Sequence, residues 1–162
     1  MEMDPEVRRY VGGSARTRED AERRFREGAL QPVHDRLSVW ASILKSSGTY
    51  VGRCGLYPHF DSHGEKIAGE AAISFYIASA YWRNGLASEA AAAFVEFGWE
   101  QLRLIRIVAT VQAGNAASVR ILENLGFELH ATEVGARTFL KFVLPNSEQR
   151  TVETNICLPR FC

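Results

Sequence analysis

Gly85 divides two unlike stretches of the chain. Tyr81, Trp82, Arg83 and Asn84 precede it, whereas the next segment, LASEAAAAF, carries almost no large side chain until Phe94. A helix made mainly of alanine buries little apolar surface of its own, so thin first turns serve something that comes close to the backbone. A helix start offers free N–H groups and the positive end of the helix dipole, which suits a large anion. Gly85 allows the chain to turn tightly with no side chain in the way, and Ala87 keeps the approach open. A second polar pair lies in GNAASVRILENLGF, where Asn115 is placed to N-cap a helix and Ser118 falls on the same side one turn later.

Other chemistries are poorly served. His59 and His63 in YPHFDSHGE are four apart, but the surrounding Pro, Asp and Gly predict a loop, so the spacing fixes no common face and both read as turn residues. The three cysteines, Cys54, Cys157 and Cys162, are odd in number and lack metal-ligand spacing. No metal and no disulfide framework is expected. Nineteen basic residues balance nineteen acidic ones, so no global field would gather nucleic acid or an anionic membrane. Any anion site is therefore local. The N-terminus lacks the apolar core of a signal peptide, and no window reaches the roughly 20 apolar residues of a membrane span. A cytoplasmic protein is expected.

At 162 residues the chain has the size of one domain. TREDAERRFREGA starts a helix at Thr17 in a capping-box-like manner, Ala21, Phe25 and Ala29 line one face, and Pro32 ends it. LSVWASILK, TYVGRCGLYP and KIAGEAAISFYIA read as an antiparallel meander. A helix over about 87–101, the short strand RIVATV, the Asn115 helix ending at Gly126, and two strands around a turn near Gly135 complete the order. Strand, helix, strand is a crossover, so Ile73–Ile77 and Arg106–Val111 are expected as parallel neighbours. The loop ASAYWRNG then leaves the carboxyl end of one strand and opens the helix.

YWRNGLASEA together with GNAASVRILENLGF resembles the GNAT superfamily of N-acetyltransferases, in particular the branch related to ribosomal-protein N-terminal acetyltransferases. The first motif has the form Gln/Arg-x-x-Gly-x-Gly/Ala, matched by Trp82 to Ala87 with Trp82 departing at the first position. With DPEVRRYVGG, TREDAE and GRCGLYP, the resemblance covers roughly residues 4–144. It implies an α+β fold: a mixed, mostly antiparallel sheet flanked by helices, whose parallel pair splays at an acetyl-CoA site. It implies a single domain over 1–145; the tail over 146–162 has no counterpart in the family, and the alternation of its TVETNICL segment would let it add as a strand in the same chain or in a partner. The strand and helix with which the family usually begins have no counterpart before Asp4, so LSVWASILK is expected to present a bare apolar edge and a homodimer is possible.

By the same resemblance, the backbone of Arg83, Asn84, Gly85, Leu86, Ala87 and Ser88 holds the pyrophosphate of acetyl-CoA, and Asn115 bonds the pantetheine arm. The N–H of Ile77 faces the thioester oxygen. Many relatives carry an acid at the position of Ala72. Glu70, two residues earlier and on the same face, is the expected base, acting through a water. Leu122 stands where many members have a tyrosine, which leaves Ser118 as the expected proton donor and a further cofactor contact. The implied activity is acetyl transfer to a primary amine of a protein N-terminus, amino acid, polyamine or antibiotic. The alternative is a non-catalytic acyl-CoA-binding or sensing module.

Overall fold

The computed structural model describes residues 1–29 and 36–146. Its elements run α1 (Pro5–Arg8), α2 (Arg18–Arg24), β1 (Val39–Ile43), β2 (Tyr50–Phe60), β3 (Lys66–Ile77), α3 (Leu86–Glu100), β4 (Arg106–Gln112), α4 (Ala116–Asn124), β5 (Glu128–Glu133) and β6 (Phe139–Pro145). The strands form one sheet in the order β1-β2-β3-β4-β6-β5. Every neighbouring pair is antiparallel except β3 with β4. This is the mixed α+β arrangement that the order of sequence patterns implies.

Alternation along β2, β3 and β4 sends Leu56, Ala71, Ile73 and Ile107 to one face, where they form the core with residues of α3 and α4. Leu56, Ile107, Leu122 and Cys54 are fully buried, each large aliphatic side chain contributing on the order of 1.5–3 kcal/mol. Helix α3 lies close to the sheet. Ala91 has no exposure, and a Cβ added to Gly98 would sit 3.0 Å from Ile107 Cδ1. Part of the alanine run thus serves close packing further along the helix, in addition to the open first turn.

The parallel pairing is confined to Glu70–Ala72 against Arg106–Val108, upstream of the expected Ile73–Ile77. Beyond it, β3 stays bonded to β2 as far as Ile77, and β4 stays bonded to β6 as far as Gln112. Each strand follows the twist of its antiparallel partner, and the two separate.

Two local expectations differ from the structure. Strand β2 continues through Pro58 to Phe60, with a register shift between those residues, so His59 is a strand residue rather than a turn residue. A proline is tolerated at such an irregularity because the ladder is already interrupted there. His63 does lie in the turn, its N–H donating to Asp61 Oδ1 at 2.8 Å. Helix α2 is capped by Thr17, which accepts from the Asp20 N–H at 3.2 Å, but passes into a π-helical turn over Phe25–Ala29. Phe25 is 56% exposed and no residue of α2 is buried. Ion pairs such as Arg18 with Glu22 at 2.8 Å take the place of the apolar face. Pro32, Cys157, Cys162 and the tail from residue 147 lie outside the described residues.

Candidate active site

A cleft of about 730 Å³ opens where β3 and β4 separate. Its walls include the consecutive residues Ile73–Ile77 and Ala109–Gln112. Successive strand residues point to opposite faces, so the cleft passes through the sheet and has a mouth on each side. The Ala78 N–H donates to Val51 O at 2.9 Å, which makes 51 and 78 a bonded pair and Gly52–Ile77 the next, non-bonded pair. The N–H of Ile77, and by the same alternation those of Phe75 and Ile73, are therefore turned away from β2 and toward the gap.

At the carboxyl end of β3 the chain makes a 3₁₀ turn over Ser79–Tyr81 and enters α3. Arg83 and Gly85 both adopt left-handed backbone conformations, at φ 65° and 75°. For Arg83 this costs free energy, and such outliers gather at functional turns. Asp4, Thr17 and Asn115 cap α1, α2 and α4 with their side chains, whereas α3 begins at Gly85 with no side-chain cap. The amides of Leu86, Ala87 and Ser88 are thus presented to the cleft that these residues line, with Arg83 and Arg120 beside them. Nothing would lie within 4 Å of a Cβ at Gly85. This set of donors fits the diphosphate of a nucleotide cosubstrate. Asn84 is not part of the wall; its Nδ2 donates to the carbonyls of Tyr81 and Trp82 at 3.2 Å each, which holds the turn. Trp82, at the departing motif position, donates its indole N–H to Ile77 O at 2.7 Å and ties the turn to the end of β3.

Across the gap, Asn115 Oδ1 accepts from the Ser118 N–H at 3.3 Å, the capping role read from sequence. Asn115, Ser118 and the fully buried Leu122 line the cleft, so no hydroxyl stands at Leu122.

The opposite mouth was not legible in the sequence. Glu6 and Tyr10 of the N-terminal segment line it, with Tyr57 and Tyr76 from β2 and β3. The segment is fixed by Asp4, whose Oδ2 accepts the Ser79 hydroxyl at 2.5 Å, and by Glu2, which pairs with Arg16 at 2.9 Å and Arg53 at 3.0 Å. Tyr76 and Tyr57 could have been placed earlier, Tyr76 because alternation along β3 puts it on the face of Ala72 and Tyr57 once the meander register is known.

Glu70 is 3% exposed and does not line the cleft. Its carboxylate bonds Arg106 of β4 and His59 of β2, the latter at 2.9 Å through Nδ1. Burial pushes the Glu70 carboxyl up, but the hydrogen bonds and charges of Arg106 and His59 outweigh it and hold the pKa below the ordinary value. An ionised carboxylate only accepts, so His59 Nδ1 carries the hydrogen. A paired carboxylate with a lowered pKa is a weak proton acceptor. Among the described residues no group of three His, Cys, Asp or Glu could hold a metal ion, and no helix is long and apolar enough to cross a membrane.

Comparison with known proteins gives the same picture. The chain is 30% identical over 98 residues to Bacillus subtilis YkkB, a match spanning 59% of this chain and 54% of that protein. It is 29% identical over 129 residues to the uncharacterized N-acetyltransferase p20 of Bacillus licheniformis, covering 77% of this chain and 68% of the relative. A GNAT-family acetyltransferase from Bacillus anthracis superposes with a TM-score of 0.74 at 22% identity, over 89% of this chain and 84% of that one. Spermidine N-acetyltransferase from Vibrio cholerae, solved with CoA and spermine, gives 0.70 at 14% identity, over 90% and 86%. The family profile described as acetyltransferase (GNAT) domain matches residues 1–128, and the chain belongs to that family.

Proposed function

We propose that the protein transfers the acetyl group of acetyl-CoA to the nitrogen of a primary amine. The observation that carries this reading is the uncapped first turn of α3 opening onto a gap that crosses the sheet. The backbone of Gly85, Leu86, Ala87 and Ser88 would hold the diphosphate, with Arg83 adding charge and Asn84 holding the turn. Asn115 and the gap-facing N–H groups of β3 would bind the pantetheine arm as a neighbouring strand is bound. The cosubstrate supplies an activated acyl carbon. Ile77 N–H is assigned to the oxygen that becomes negative as the amine adds, where a preorganised donor acts most strongly.

The amine nitrogen bonds to the acyl carbon, and the C–S bond breaks with its electron pair passing to sulfur. The nitrogen loses its proton to water in the cleft, and sulfur takes one from the Ser118 hydroxyl, which water restores. Glu70 is assigned to the root of the gap rather than to this proton transfer, because it is buried outside the cleft lining and paired with Arg106 and His59.

Coenzyme A at 100 times its dissociation constant should add about 2.7 kcal/mol of stability, raising the melting temperature by roughly 5–10 °C for a domain of this size. An unchanged melting temperature in millimolar coenzyme A would remove the reading. Ser118→Ala should slow thiol release about tenfold with coenzyme A affinity retained; full activity would reduce Ser118 to a binding residue.

A further inference from the structure

The mouth opposite α3 and α4 carries a chemistry of its own, and the acceptor it would take rests on the acetyl-transfer reading. Tyr57 and Tyr76 stand on adjacent strands with the Gly55–Ser74 pair between them. Their register places them four residues apart, about 13 Å along the strands at 3.3 Å per residue. Ser74 lines the cleft with a short side chain, while the Ser38 backbone closes the Gly55 side, where a Cβ would lie 2.1 Å from Ser38 O, so the two rings flank a shallow trough over Ser74. Burial raises the Tyr57 pKa, with the nearby Tyr76 adding to it, in keeping with two phenols sharing one partly dry recess.

Most charge on this side is already paired, Glu2 with Arg8, Arg16 and Arg53. Glu6 is the sole carboxylate among the described residues lining the cleft, and its ion pair with Arg9 at 2.8 Å is between two exposed groups, which contributes little and leaves Glu6 able to exchange partners. Arg53 lies over the Tyr76 ring, 4.8 Å from its centroid. One ammonium group has a carboxylate and tyrosine faces to meet. A second or third ammonium on the same acceptor finds no further carboxylate among the described residues lining the cleft, and Glu2 beside it is already held by its three arginines.

We propose that the acceptor is a primary amine bearing one positive charge on an aromatic or other flat apolar body, seated between Tyr57 and Tyr76 with Glu6 receiving its ammonium group. Polyamines are disfavoured, in contrast to the spermine-bound neighbour of the same fold. The flat body fills the trough and presents the nitrogen to the gap at Ser74 and Phe75. Glu6 gathers the cationic form, and the neutral amine reacts after the proton has passed to water.

The test measures thiol release from acetyl-CoA by the full chain with 2-phenylethylamine, spermidine and a short peptide with a free N-terminus, beside coenzyme A binding by thermal shift. kcat/KM for 2-phenylethylamine should exceed that for spermidine and for the peptide by about tenfold or more. Glu6→Gln and Tyr57→Ala should each raise its KM about fivefold or more with the coenzyme A shift unchanged. Preference for spermidine or the peptide, or variants with unaltered KM, overturns the acceptor assignment while transfer stands. No coenzyme A shift and no thiol release with any amine overturns the transfer reading beneath it.

Discussion

Ala87→Glu should weaken coenzyme A binding about 100-fold or more and leave the fold as stable as before or slightly more so. Ala87 is in the first turn of α3, whose start at Gly85 carries no side-chain cap. A carboxylate there satisfies the positive end of the helix, typically worth about 0.3–1 kcal/mol, and does so by occupying the electrostatic site meant for the ligand. The same carboxylate about 5 Å from a diphosphate charge is repelled by roughly 3 kcal/mol at an effective dielectric constant near 20, and about 1.4 kcal/mol is a factor of ten in affinity. Binding and stability thus move in opposite directions, which misfolding cannot produce. Ala87→Gln adds the same bulk without the charge and should lose no more than about tenfold. Isothermal titration beside urea denaturation reads both quantities. Equal losses for Glu and Gln would make the effect steric, and undiminished binding by Ala87→Glu would place the diphosphate elsewhere.

How far the site was legible depends on which interactions are local. The α3 turn and the Asn115 cap rest on residues within a few positions of one another, and their patterns specify them: Gly85 adopts the left-handed conformation that its lack of a side chain permits, and Asn115 accepts from Ser118 N–H three residues on. The sheet order was legible only from β1 to β4, where hydrophobic period and the strand–helix–strand crossover restrict the possible folds; the place of β6 between β4 and β5 was not read. The register of the sheet was not legible. Where β3 leaves β4 depends on the competing pulls of β2 and β6, and no single segment encodes that balance. The mouth opposite α3 and α4 was least legible, since α1 is four residues long and reaches the cleft through contacts across the chain, such as Asp4 with Ser79 and Glu2 with Arg53. The α2 face failed for a different reason. Its period is helical, but the tertiary surface that would bury Phe25 is not there among the described residues.

Glu70→Ala should lower stability at neutral pH by about 2–3 kcal/mol and weaken coenzyme A binding several-fold, whereas Glu70→Gln should keep kcat within about fivefold and leave the pH dependence of kcat/KM unchanged. The three side chains of His59, Glu70 and Arg106 join β2, β3 and β4 in the last stretch before β3 and β4 part. Removing the carboxylate leaves two donors without their acceptor, a loss that is strongly destabilising when both are buried; Arg106 is 44% and His59 32% exposed in the side chain, so water regains part of them and the cost is smaller. Gln offers one acceptor oxygen and sets an NH₂ against the other donor, which should cost about 1–2 kcal/mol. The direction with pH comes from a folded pKa lowered below 4.5: the stabilisation is complete above the unfolded value and is lost as pH falls below about 4.5 through the folded one. The stability gap between the native protein and Glu70→Gln should therefore close as pH falls below about 4.5. A base would behave otherwise, with Glu70→Gln losing roughly 10²-fold in turnover and the acid limb of the rate profile disappearing. That result would return Glu70 to the proton transfer. Retained turnover with an acid-dependent stability gap would instead fix it as the clasp that sets where the two strands begin to part, and so how wide the gap opens for the cosubstrate.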